Sequence, residues 1–134
     1  MDIQVTLAEF IATNGLRMTV RTRKANPNID DMPRNFTCTI IGRNDKGYMK
    51  VPFSQGSAHT KPPTIEDVLD CLASDASGVE NSRSFEDWAG DYGYDTGSRK
   101  AEKIYLTCMR QAAELQQLLG YDAYKTLLWD TERL

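Results

Sequence analysis

A chain of 134 residues has room for one modest hydrophobic core, and 40% hydrophobic with 26% charged residues is globular rather than disordered composition. No apolar run approaches the ~20 residues that cross a bilayer. Asp2 and Glu9 stand where a secretory leader would place its basic and apolar segments, so a cytoplasmic protein is expected. The net charge is −3, yet it is unevenly spread: residues 1–63 sum to +4 and residues 64–134 to −7.

The elements are predicted as follows, in chain order. Thr6 and Glu9 have the spacing of a capping box, Val5 and Phe10 that of a hydrophobic staple, and Leu7, Phe10 and Ile11 share one face of a short helix. Asn14 and Gly15 end it. Over 16–24, Leu16, Met18 and Val20 alternate with Arg17, Thr19, Arg21 and Arg23, the period of a half-buried strand with a basic outer face. A loop over 26–33, rich in Asn, Pro and Asp, leads to a second strand in which Phe36, Cys38 and Ile40 face inward. A turn over 44–47 follows, and Met49, Val51 and Phe53 make the inner face of a third strand. Pro52 lacks an amide donor, which assigns that strand to a sheet edge.

Residues 54–63 form a loop that delivers the chain to Thr64, the cap of the next helix. Ile65, Val68, Leu69 and Leu72 line its apolar side, and Gly78 is expected to stop it. Ser84 caps a short helix carrying Phe85 and Trp88, closed by Gly93. The longest helix spans 98–119, with Ala101, Ile104, Tyr105, Cys108, Ala112, Leu115 and Leu119 at helical spacing. Gly120 breaks it, and Asp122 is expected to cap a last helix bearing Tyr124, Leu127, Leu128 and Trp129. The predicted fold is a single α+β domain over 1–134. A short helix and a three-stranded antiparallel sheet occupy 1–63, and a helical part over 64–134 packs on one face of the sheet.

Little in the chain suggests catalysis. The cysteines, Cys38, Cys71 and Cys108, are odd in number, far apart and without a CxxC pair, so they are taken as structural thiols. One histidine, His59, sits among Ser54, Ser57 and Thr60 in the 54–63 loop; adjacency in a loop is not the geometry of a catalytic triad. No phosphate-binding glycine motif occurs, and no carboxylate spacing singles out a metal set. We expect neither enzymatic activity nor a cofactor or metal.

Two surfaces remain as candidates for binding. Window 64–95 holds nine acids (Glu66, Asp67, Asp70, Asp75, Glu80, Glu86, Asp87, Asp91 and Asp95) against the lone base Arg83. With Trp88, Tyr92 and Tyr94 among them, these carboxylates suit docking on a basic protein surface: charge speeds encounter and aromatic rings anchor it. The plainer reading makes Trp88 core and the acids a solvated face. The other candidate is the outer sheet face, where Arg17, Arg21, Arg23, Tyr48 and Lys50 would suit single-stranded nucleic acid.

Three stretches, Phe53-Ser-Gln-Gly-Ser-Ala-His-Thr60, Asp67-Val-Leu-Asp-Cys-Leu-Ala-Ser-Asp-Ala-Ser-Gly78 and Ser84-Phe-Glu-Asp-Trp-Ala-Gly-Asp-Tyr-Gly-Tyr-Asp95, together with Ser98-Arg-Lys-Ala-Glu102, carry a resemblance. Over roughly residues 50–134 the chain resembles small phage, prophage and mobile-element proteins. The resemblance implies a bacterial host cytoplasm and, by analogy with anti-CRISPR and anti-restriction proteins, an acidic binder. Its partner would be a host defence nuclease or a ribonucleoprotein effector complex. No residue role comes from it.

Overall fold

The computed structural model describes residues 6–23, 35–54 and 62–132. Its elements run α1 (Leu7–Thr13), β1 (Arg17–Arg23), β2 (Asn35–Ile41), β3 (Tyr48–Ser54), α2 (Ile65–Glu80), α3 (Phe85–Asp91), α4 (Arg99–Leu119) and α5 (Tyr121–Glu132). The class is α+β, with a short first helix, a three-stranded antiparallel sheet and a helical C-terminal half. The chain divides into two compact units, residues 1–69 and 70–134. Among the described residues, no helix is long and apolar enough to cross a membrane.

In the first unit, local chemistry sets the ends of α1. Thr6 Oγ1 accepts from the Glu9 amide at 3.2 Å while Glu9 reaches back to the Thr6 amide, closing the capping box. At the other end Gly15 takes φ +60°. Its amide donates to Ala12 and the Leu16 amide donates to Ile11, the paired bonds of a Schellman stop. Leu16 is thereby turned inward, and the alternation of β1 begins from a fixed phase.

Strand order is β1-β2-β3, so β2 is central and Pro52 lies on an edge strand. Register aligns Met18 with Ile40 and Met49, and Val20 with Cys38 and Val51, all on the inner face. Phe36, Cys38, Ile40, Met49 and Val51 are buried there. Because side chains alternate, the same register places Arg17, Ile41 and Tyr48 side by side on the opposite face, followed by Thr19, Thr39 and Lys50. β2 and β3 are joined through a tight turn in which Asn44 and Asp45 take left-handed conformations.

The second unit is helical. Leu72, Ala73 and Ala76 of α2, Ala101, Cys108, Ala112 and Leu115 of α4, and Tyr124, Leu127 and Leu128 of α5 are buried. They recur at helical spacing, so each helix turns one apolar stripe inward. α2 does not stop at Gly78; it continues to Glu80. The glycine is there for space, since a Cβ at position 78 would collide with the hydroxyl of Tyr92. The last helix also differs from expectation: it starts at Tyr121, directly after Gly120, whose φ of +84° ends α4. Gly120 O accepts from the Tyr124 amide, so Asp122 falls inside the first turn of α5 rather than capping it.

Two substitutions test this packing by urea denaturation. Leu115→Ala, at a fully buried site, should cost ~2–5 kcal/mol. Ser84→Ala, which loses only the cap of α3, should cost about 1 kcal/mol. Equal losses would contradict the assignment of Leu115 to the core.

Candidate partner-binding site

Helix α3 has seven residues, too few to persist by itself in water, so tertiary contacts must hold it. Ser84 Oγ accepts from the Asp87 amide at 3.2 Å, and the Asp87 carboxylate accepts from the Arg83 amide at 3.1 Å. At its end Gly93 is left-handed, with Gly93 donating to Gly90 and Tyr94 to Ala89, again a Schellman stop. That stop folds Tyr94 back beside Trp88, the two rings stacked at 5.3 Å and 12°. Tyr92 and Tyr105 lie at 5.3 Å from the same indole, and Phe85 at 6.2 Å.

Trp88, expected to touch a partner, is therefore core: it is 4% exposed, wedged with Ala89 and Ala101. Burying a large indole stabilises the unit, whereas presenting it to a partner would forfeit that burial. Tyr92 and Tyr94 do reach solvent, at 54% and 41% exposed.

All nine acids of window 64–95 are exposed, but they differ in what else they do. Asp67 closes a capping box with Thr64, its carboxylate accepting from the Thr64 amide at 3.1 Å. Asp87 supports the start of α3, and Asp95 accepts from the Gly97 amide at 3.0 Å. Glu80 accepts a hydrogen bond from the hydroxyl of buried Tyr124 at 3.0 Å and lies 3.7 Å from Lys125 Nζ. Asp75 stands near Cys108, far round α2 from Asp70. Among the described residues, the side chains of Glu66, Asp70, Asp75, Glu86 and Asp91 make no hydrogen bond or ion pair. The window thus divides: Glu66, Asp67 and Asp70 occupy one stripe of α2, Glu86, Asp87, Asp91 and Asp95 surround α3, Asp75 stands apart on α2 beside Cys108, and Glu80 is held by Tyr124 and Lys125.

Between the last turns of α2 and the end of α3 lies an open cleft of about 320 Å³. Ser74, Ser77, Gly78, Asn81 and Ser82 form one wall; Asp91 and Tyr92 form the other. The cleft is a feature that the sequence reading missed. Its only signal was the run of small polar residues at helical spacing through the second half of α2, which resembles any solvated face.

On the sheet, Arg17, Arg21, Tyr48 and Lys50 are exposed on one face, with Tyr48 at 69%. The backbone register puts Arg23 on that face too, and its side chain lies outside the described residues. No acid occurs in the three strands. Arg17 is ion-paired with Asp45 of the turn, which reduces the basic charge at that end. His59 and its loop lie outside the described residues, and no group of three or more potential metal ligands occurs among those described. No protein-family model matches the chain, and neither a curated protein nor a solved structure matches it.

Burial raises the thiol pKa of Cys38 and Cys108, the latter to about 11 with a further push from the Asp75 charge. Desolvation also raises the Asp75 carboxyl, although the residue as a whole is exposed. Tyr124 is raised too, by burial and then by its hydrogen bond to Glu80. The sign follows from which state holds the proton. Below pH ~9 folded and unfolded Cys108 are both protonated and its contribution is fully present. Above that the unfolded thiol ionises while the folded one does not, so stability falls as pH rises through about 11. Urea melts across pH 8–11.5 should show this loss, and Asp75→Asn should shrink it by removing the charge that opposes the thiolate. In the same protein, alkylation at pH 8 should modify exposed Cys71 well before Cys38 or Cys108.

Proposed function

We propose that this protein is a stoichiometric binder that docks its acidic helical region on a basic surface of a partner protein. The carrying observation is that Glu66, Asp70, Glu86 and Asp91 are exposed and unpaired among the described residues. Carboxylates with no internal role keep the domain soluble, but when grouped on two helices they also steer and orient a cationic partner. Exposed Tyr92 and Tyr94, braced from below by Trp88, add rigid apolar contact within that charged field.

The partner class follows from chemistry. A concentrated basic surface is most often one that grips nucleic acid, so an acidic domain seated there competes with DNA or RNA. The resemblance of residues 50–134 to phage and mobile-element proteins narrows the proposal to a host defence nuclease or effector complex, inhibited without turnover. That narrowing rests on the resemblance alone.

The test uses the unpaired acids and spares those that cap helices. The triple variant Glu66→Lys, Asp70→Lys, Glu86→Lys should keep its circular dichroism spectrum. It should also lose at least about tenfold in affinity for a nuclease or effector complex recovered from a defence-bearing bacterial lysate. Unchanged affinity would sink the acidic-face reading.

A second reading is favoured by the strand register, which aligns Arg21, Lys50 and Tyr48 on one acid-free face. On this reading the sheet binds single-stranded nucleic acid, Tyr48 stacking on a base. Gel shifts with single-stranded DNA and RNA at low and at ~0.15 M salt separate the two. Binding that is steeply salt-dependent and lost in Arg21→Glu, Lys50→Glu belongs to the sheet; no shift at either salt leaves the acidic helices as the working surface.

A further inference from the structure

We infer that the cleft between α2 and α3 is a receptor for a single arginine side chain presented by the partner, the anchor point of the docking surface proposed above, on which this assignment rests. At about 320 Å³ the cleft is at the small end of the ~300–1,000 Å³ range of ligand sites, a size for one side chain rather than a cofactor.

Its chemistry selects a cation. Asp91 is the one carboxylate on the lining, and no lysine, arginine or histidine joins it. Glu86 and Asp87 stand on the same helix and Asp95 just beyond, against the one base Arg83 that follows Ser82, so acids outnumber bases in the adjoining sequence. Asp91 is also the last residue of α3, the end at which the helix dipole disfavours an acid. Among the described residues its side chain has no hydrogen bond or ion pair to compensate. A cationic ligand supplies that partner.

The shape of the lining selects a planar, donor-rich cation. Tyr92 offers a half-exposed ring face, on which a planar guanidinium can lie flat with its donors still directed to the rim, whereas an ammonium meets such a face only as a point charge, as Lys125 does over Tyr121. The Ser82 hydroxyl donates its proton to Gly78 O at 2.8 Å, so its oxygen meets a ligand only as an acceptor. Guanidinium carries five donors and no acceptor, which suits the Asp91 carboxylate and the Ser82 oxygen, while the Asn81 amide on the same lining donates to Ser77 Oγ at 3.2 Å. Gly78 keeps the wall low enough for the Tyr92 hydroxyl to lie across α2; a Cβ there would push the ring aside.

The test follows backbone amide shifts of the labelled full-length chain during titration with Nα-acetyl-arginine amide and with its citrulline counterpart, which is isosteric but uncharged. The arginine probe should perturb Ser74, Ser82, Asp91 and Tyr92, and bind about tenfold or more tighter than the citrulline probe. Asp91→Asn should weaken the arginine probe by about the same factor. Tyr92→Phe, which keeps the ring, should bind as the parent does, whereas Tyr92→Leu and Gly78→Ala should each weaken binding. Asp91→Asn removes no stabilising contact of the helices, Gly78→Ala displaces the Tyr92 ring that rests on Trp88, and retained amide spectra of both variants would exclude unfolding as the cause. Equal affinity for the two probes, or full binding by Asp91→Asn, overturns the assignment. The two failures are distinguishable: arginine binding in the cleft with partner affinity unmoved by the lysine triple variant would overturn the docking reading, whereas loss of partner affinity in that variant with equal binding of the two probes would overturn the arginine assignment.

Discussion

The candidate site depends on the burial of one indole. A seven-residue helix does not survive in water, and α3 is held because Trp88 is wedged among Phe85, Tyr92, Tyr94 and Tyr105 above Ala89 and Ala101. The rings at the edge of this cluster are the ones that reach solvent. Tyr92 and Tyr94 are therefore neither free side chains nor core residues: their inner faces rest on tryptophan and their outer faces are open. Such support lowers the entropy lost when a partner immobilises them, which is what distinguishes a prepared contact surface from an exposed aromatic.

Electrostatics and local structure overlap in this molecule. Asp67, Asp87 and Asp95 keep backbone amides satisfied at helix starts and in a turn, and their charge is still presented to water. Glu80 is engaged by Tyr124 and Lys125, tying the end of α2 to α5. Subtracting these leaves fewer acids whose presence no local need explains, and Asp91 is the clearest, since its position on α3 runs against the dipole. The bulk excess of negative charge is thus less informative than the handful of carboxylates with nothing internal to do.

Much of the fold was legible because its signals are local. The Thr6–Glu9 box, the Thr64 and Ser84 caps and the left-handed glycines at 15 and 93 act on neighbours within a few residues, so they can be read one window at a time. The inward face of each strand followed from alternation, which puts Ile40 and Met49 on the core side, whereas the pairing register came only with the structure. Gly78 misled for the opposite reason: its role is set by Tyr92, fourteen positions on, and nothing nearby announces a close approach. Trp88 likewise reads as core or anchor until the rings that enclose it are known. The cleft left no motif, since small hydroxyl residues on a helix look alike whether they face bulk water or a second helix.

β1 and β3 are the outer strands of the sheet, and their composition bears on how the protein behaves at high concentration. A bare strand edge is a template for recruiting another chain, the first step toward fibrils. Here one margin carries Arg21 and the other Lys50 and Pro52. Edge-to-edge approach of two copies would oppose like charges, and proline would interrupt a continuous ladder. The cations on the sheet thus act as gatekeepers against self-recruitment, a duty that would keep them in place even in a molecule that never meets a phosphate.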